Sequence, residues 1–184
     1  MLKKSDIPQI IKISIILFII TAISAAILAG VNSVTAPLIA ENEAKKQSEA
    51  MKKVVPGAEA FEKTENEVIY IAKKSEEVVG YAVISKPVGY GGEISMVVGV
   101  DPDGKVLGVD IISQSETAGL GANCEKDEFK NQFIGKFAGI NVVKSGASEN
   151  EVDAISSATI TSKAVTDGVN NAIELVEKYK EGDK

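Results

Sequence analysis

The N-terminal part of the chain contains a long uncharged stretch, and this stretch most constrains how the chain can fold. No charged side chain occurs between Ile13 and Ala40, and Ile13–Val31 consists mainly of Ile, Leu, Ala and Phe. A helix needs about 20 apolar residues to cross the hydrocarbon core of a bilayer. Because a helix satisfies its own backbone hydrogen bonds, the pattern predicts one transmembrane helix at residues 13–31.

The charges that flank this stretch predict its orientation. Lys3, Lys4 and Lys12 precede it, and positively charged flanks stay preferentially in the cytoplasm. We therefore expect residues 1–12 to be cytoplasmic and the main domain to lie outside the cell (inner) membrane, held there by one span in contact with lipid. A cleaved signal peptide is the alternative, but its apolar core is usually shorter, and the apolar character here continues to Ile39.

The residues after the span divide into a stalk and a domain. Glu41–Val55 is charged and rich in helix-forming residues, and Pro56 with Gly57 ends that pattern. Residues 32–57 are therefore predicted to form a stalk or linker helix. Residues 58–184 remain as a single folded domain.

Composition excludes several classes of function. Residues 1–40 carry a net charge of +2. Because the net charge of the whole chain is −6, residues 41–184 carry −8. An acidic body does not fit a nucleic-acid partner. The chain has no His, no Arg and one Cys, so it lacks ordinary zinc, haem and iron–sulfur ligand sets and any His-based catalytic triad. We expect no metal site and no catalytic residue, and any electron transfer needs an organic cofactor.

Strand and helix patterns predict an α+β domain. Val68–Ile71, Val78–Ile84, Ile94–Val100 and Val106–Ile112 are β-branched and aromatic runs, and the turn sequence Asp101–Gly104 makes the last two a predicted hairpin. A final helix follows from apolar residues spaced three and four apart, with Gly182 just beyond its end. That spacing is formed by Val165, Val169, Ala172, Val176 and Tyr179. The expected architecture is an antiparallel sheet with packed helices.

A short stretch of regularly spaced apolar residues lies between the last predicted strand and the final helix. Phe129, Phe133 and Phe137 follow one another at intervals of four residues. Side chains four residues apart share one face of a helix. We interpret the three phenylalanines as part of the core.

Two further stretches have the composition of ligand-binding segments. Gly89–Gly92 is a glycine loop around Tyr90, and glycine permits close approach of the backbone to a flat ligand on which Tyr90 would pack. A mobile loop is the alternative. Four hydroxyl side chains lie between Ser156 and Thr161, directly before the final helix. A helix N-terminus favours an anion such as phosphate, although helix capping by Ser or Thr also explains the hydroxyls.

Together with Glu116-Thr117-Ala118-Gly119-Leu120-Gly121, these stretches resemble the FMN-binding G subunit (RnfG) of Rnf electron-transport complexes. Asp153-Ala154-Ile155-Ser156-Ser157-Ala158-Thr159 is similar to the flavinylation motif of that family. Ser157 stands where the family has Gly, and Ala118 stands where it has Pro. The resemblance implies covalent FMN, joined to Thr159 through a phosphoester.

The resemblance also implies which other residues surround the cofactor. Ser156 and Thr161 would flank the phosphate, and Asp153 would orient the loop or serve the attaching enzyme. The loop from Glu116 would line the isoalloxazine or ribityl group. The complete predicted set is Tyr90, Gly91, Glu116, Thr117, Gly119, Leu120, Gly121, Asp153, Ser156, Ser157, Ala158, Thr159 and Thr161.

By the same resemblance, the chain belongs to an ion-translocating oxidoreductase and is not an independent catalyst. It would relay electrons in a complex that couples ferredoxin:NAD⁺ electron transfer to Na⁺ or H⁺ translocation. The implied partners are other membrane and peripheral subunits and a flavin transferase. The alternatives are the C subunit (NqrC) of the Na⁺-translocating NADH:quinone reductase, which is usually longer, and a membrane-tethered binding or scaffold domain without a redox role.

Overall fold

A computed structural model describes residues 7–182 of the chain, with the side chains of Gln9 and residues 11–182. The chain divides into two units, Met1–Ala44 and Lys45–Lys184. Helix α1, Ile7–Val54, supplies the described part of the first unit. Its most apolar 18-residue window has a mean hydropathy of 2.6 and is entirely exposed, so by length and composition α1 can cross a bilayer as predicted. Residues 1–6, which carry Lys3 and Lys4, lie outside the described residues.

The second unit is built on a five-stranded antiparallel sheet. The strands occur in chain order across the sheet, so each pairs with the next. The predicted antiparallel sheet is confirmed, as is the predicted hairpin, formed here by Ser95–Val100 and Val106–Ser113. One edge strand, β1, was not predicted, because Phe61 is its only large apolar residue and most of the strand is exposed. The strands are β1 Ala60–Lys63, β2 Ile69–Lys74, β3 Glu77–Ser85, β4 Ser95–Val100 and β5 Val106–Ser113.

Helix α3, Thr159–Gly182, covers one face of this sheet. Its predicted apolar stripe is confirmed, since Val165, Val169, Ala172 and Val176 are fully buried. Gly182 lies inside the helix rather than beyond it, because the helical hydrogen bonds continue to that residue. The segment between β5 and α3 contributes helix α2, Asp127–Lys130, two short 3₁₀ helices and a parallel strand pair, β6 Asn141–Val143 and β7 Glu151–Asp153.

The opposite face of the sheet is covered by the C-terminal end of α1. Ala50, Met51, Val54 and Val55 are buried there with small or aliphatic side chains of the sheet. The folded unit therefore begins at Lys45 rather than at residue 58, because the last turns of the predicted stalk belong to the core. Sequence patterning treated these turns as a stalk because their apolar stripe is thin and their charges are many.

The phenylalanine prediction is correct for two residues and wrong for the third. Phe129 and Phe133 are buried and meet edge to face, with ring centroids 5.4 Å apart. Phe137 is half exposed and packs against the Lys105 ammonium group, 5.3 Å from the ring centroid. The helical segment ends before Phe137, so the spacing of four no longer places it on the same face.

Candidate functional site

A cleft of about 530 Å³ lies where the three segments singled out in the sequence meet. The glycine loop contributes Tyr90, the loop after β5 contributes four residues, and the segment that enters α3 contributes five. This volume lies in the range of about 300–1,000 Å³ typical of small-molecule sites. The lining residues are Tyr90, Glu116, Thr117, Leu120, Gly121, Ser157, Ala158, Thr159, Ile160 and Thr161.

The segment that enters α3 is held in a tight turn. The Ser162 hydroxyl accepts a hydrogen bond from the Ile155 N–H at 2.9 Å and donates one to the Ala158 carbonyl at 3.0 Å. Within this turn Ser157 has φ of 61°, a left-handed conformation that favours glycine. The turn therefore explains on physical grounds why glycine suits position 157, and it shows that serine adopts the same backbone shape here.

Thr159 and Thr161 lie in the first turn of α3 but have opposite environments. Thr159 is the first residue of the helix and is exposed at the cleft. Thr161 is 1% exposed, and its hydroxyl donates to Glu116 Oε2 at 2.5 Å. A threonine hydroxyl has one proton to donate, so that of Thr161 is already used. Of these two threonines, Thr159 is therefore the one exposed to a reagent that enters the cleft, as are Ser157 and Thr117.

Glu116 connects all three segments of the cleft. Its Oε1 accepts the Gly91 N–H at 2.8 Å, its Oε2 accepts the Thr161 hydroxyl, and its own N–H donates to Gln114 Oε1. Only 8% of Glu116 is exposed. The glycine loop is thus fastened to the head of α3 through one carboxylate.

Four predicted site residues do not line the cleft. Gly91 is not part of the lining but donates its N–H to the Glu116 carboxylate. Gly119 lies in a turn with φ of 77°. Ser156 and Asp153 border a neighbouring cavity of about 230 Å³. The Asp153 carboxylate accepts the Ala147 N–H at 2.8 Å, and its predicted role in orienting the loop before α3 stays a prediction.

Sequence reasoning missed three residues that shape the site. Ile160 lines the cleft between the two threonines, and Ser162 closes the turn. Gln132 pairs its side-chain amide with the backbone of Asp153, accepting the N–H at 2.7 Å and donating to the carbonyl at 3.4 Å. The hydroxyl cluster itself signalled Ser162, since it continues the Ser/Thr run by one residue beyond Thr161. No local pattern indicates Gln132, because its partner is 21 residues away.

The Cys124 thiol is not an activated nucleophile. Burial raises the pKa of the Cys124 thiol to about 11, and the carboxylates of Glu125 and Glu116 act in the same direction. A thiol with this pKa is a weak nucleophile at neutral pH. Within residues 7–182, no group of three or more acidic or Cys side chains is arranged to hold a metal ion.

Comparison with known proteins identifies two regions of the chain. Residues 89–174 match the family described as FMN-binding domain, and residues 1–54 match the RnfG N-terminal region. The crystal structure of Shewanella oneidensis NqrC shares the fold, with a TM-score of 0.52 and 19% identity over 70% of this chain and 74% of that one.

Two relatives extend the match to nearly the full length of the chain. The chain is 40% identical, over 99% of its length and 100% of the relative's, to the G subunit of the proton-translocating ferredoxin:NAD(+) oxidoreductase complex of Clostridium ljungdahlii. It is 39% identical to the Na(+)-translocating counterpart of Acetobacterium woodii, over 90% of this chain and 91% of that one. The chain therefore belongs to the RnfG family, the membrane-anchored G subunits of ion-translocating ferredoxin:NAD⁺ oxidoreductase complexes.

Proposed function

We propose that this protein carries FMN, bound covalently to Thr159, and relays electrons within an Rnf-type complex. That complex couples ferredoxin:NAD⁺ electron transfer to the translocation of Na⁺ or H⁺. The observation that carries the proposal is the exposed Thr159 residue at the head of α3, inside a cleft of ligand size. Family membership supplies the complex and its other subunits as partners.

The cleft suits the two chemically different parts of FMN. Tyr90, Leu120 and Ile160 give it exposed apolar surface, which matches a flat isoalloxazine ring. The phosphate end would meet the first turn of α3, whose leading N–H groups have no partner within the helix. The first bond of that helix is donated by Ser162 to Ala158, which leaves the N–H groups of residues 159–161 for a ligand.

A covalent bond would compensate for the composition of the site. The chain has no Arg, so no guanidinium fork is present to clamp a phosphate. Esterification reduces the charge of the phosphate and prevents loss of the cofactor outside the cell. Bound FMN supplies reversible electron transfer, and the residues of the chain supply attachment, orientation and an open face for exchange with neighbouring subunits.

Attachment needs an activated flavin phosphate and a transferase. The oxygen of Thr159 would form the bond to phosphorus while a phosphoanhydride P–O bond of the flavin donor breaks, and the second phosphate of that donor would leave with the electron pair. The hydroxyl proton passes to water or to a base of the transferase. The net change in the protein is the addition of FMN less one water.

The predicted membrane topology supports this proposal. Lys12 lies on the N-terminal side of the apolar run, as do Lys3 and Lys4 in the sequence, so the positive-inside rule favours an extracytoplasmic flavin domain. Residues 7–182 contain one candidate span, which is too little for an ion pathway of its own. The protein would therefore act as a relay, and other subunits would form the pump.

Intact-mass spectrometry of membrane-extracted protein, co-expressed with its transferase, tests the proposal. Wild-type protein is expected to carry the mass of FMN less water and to fluoresce in a denaturing gel. Thr159→Ala should lose both signals, whereas the control Ser145→Ala, which removes an exposed hydroxyl outside both the cleft and the motif, should keep them. A colourless and unmodified wild-type protein would contradict the proposal and favour a tethered scaffold domain.

A further inference from the structure

The carboxylate of Glu116 occupies a space that the surrounding glycines leave free. A Cβ atom at Gly121 would lie 2.5 Å from Glu116 Oε2 and 2.6 Å from the Thr161 hydroxyl oxygen. A Cβ atom at Gly89 would lie 2.4 Å from Glu116 Oε1. Contacts this short are not tolerated between heavy atoms, so side chains at these positions would displace the carboxylate. The glycines therefore accommodate Glu116 as well as any ligand.

Both carboxylate oxygens of Glu116 have hydrogen-bond partners in the cleft. Each oxygen accepts a proton from a neighbour, Oε1 from the Gly91 N–H and Oε2 from the Thr161 hydroxyl. The ion pairs found within residues 7–182 do not involve Glu116, so no lysine neutralises it at contact distance.

We propose that Glu116 lowers the reduction potential of the flavin by placing a fixed negative charge in its cleft, and that it positions the glycine loop against α3. The inference rests on the proposed function, because it requires FMN in this cleft. Reduction adds two electrons and, on average near neutral pH, fewer than two protons, so the reduced cofactor is more negative than the oxidised one. A buried carboxylate nearby raises the free energy of the more negative state.

Spectroelectrochemical titration of the full-length flavinylated protein tests this charge effect. Glu116→Gln keeps the shape of the side chain and removes the charge. At the wild-type midpoint potential, the ratio of reduced to oxidised flavin should rise about tenfold, which is about 30 mV for a two-electron couple. Glu128→Gln, which removes an exposed carboxylate outside the cleft, should leave the ratio unchanged. Thr161→Val keeps the Glu116 charge and should not raise the potential.

A second measurement makes the test independent of covalent attachment. In the Thr159→Ala background, FMN binds without a covalent bond. The ratio of its affinities in the oxidised and reduced states then gives the same shift in reduction potential through a thermodynamic cycle. There Glu116→Gln should improve binding of reduced FMN relative to oxidised FMN by about tenfold. An unchanged potential and an unchanged affinity ratio would overturn the role of Glu116 while leaving the flavoprotein intact. Wild-type protein without flavin, and Thr159→Ala protein that binds no FMN, would instead refute the proposed function.

Discussion

The two faces of the sheet are covered by helices in different ways. Beneath α3 the sheet presents bulky side chains, among them Val83, Met96 and Val98, which pack against the valines of the helix. Beneath the end of α1 the sheet presents Ala72 and Ala82 together with two glycines in register, Gly99 and Gly108. A Cβ atom at Gly99 would lie 2.1 Å from the Val54 carbonyl oxygen. One helix therefore packs on side chains, and the other approaches the backbone of the strands.

The two faces of the sheet therefore have different structural roles. Side-chain packing under α3 holds the helix whose first turn forms the cleft. Close backbone approach on the other face binds the last turns of α1, residues 45–54, to the sheet as part of the same core. Removal of side-chain volume should damage the first face most, whereas addition of volume should damage the second.

The largest effect is expected on the bulky face. Phe133 is fully buried, so Phe133→Ala should lower the free energy of unfolding by about 3–5 kcal/mol through lost burial and a residual cavity. Urea unfolding of the full-length protein in detergent, followed by circular dichroism, measures this change. Phe137→Ala is the matched control and should cost far less, because its ring is half exposed. Equal losses for the two variants would show that Phe133 is not a core residue.

The face of the sheet that presents Gly99 and Gly108 should lose stability when one methyl group is added. Gly99→Ala forces its Cβ against the Val54 backbone, which has no flexible end to move aside, and should cost about 2–3 kcal/mol. Gly30→Ala is the control, since a Cβ at Gly30 meets nothing within 4 Å. The same unfolding measurement applies to both. If Gly99→Ala were as stable as wild type, the close approach of α1 to the strands would be wrong.

The smallest effect concerns the turn that leads into α3, and it has the opposite sign. Ser157→Gly removes the cost of the left-handed conformation, about 1–2 kcal/mol, and adds chain entropy to the unfolded state. The net result should be a gain of about 0.5 kcal/mol, with flavin attachment retained. Ser156→Gly, at a neighbour without positive φ, should lose stability instead. A loss in both variants would contradict the strained turn.

Much of the fold and part of the site followed from local sequence. Strands β2 to β5 were predicted because β-branched runs alternate with turn residues, and α3 was predicted because its valines recur with helical spacing. Two of the cleft segments were identified from glycine and hydroxyl composition, and the role of the third, Glu116–Gly121, was implied by the family resemblance. The end of α1 was misassigned because its buried stripe of Ala50, Met51 and Val54 is brief and lies among charges.

Sequence by itself determined strands β2 to β5, helix α3 and the candidate membrane span, since these depend on neighbours a few residues apart. Tertiary structure decided that Thr159 remains accessible and that the Thr161 hydroxyl is engaged in a hydrogen bond. The partner of Thr161 is Glu116, 45 residues away, and no local pattern reports a contact of that range. The same reason applies to Gly99 and Val54, because the fit of a helix backbone into a sheet exists only after the chain has closed around its core.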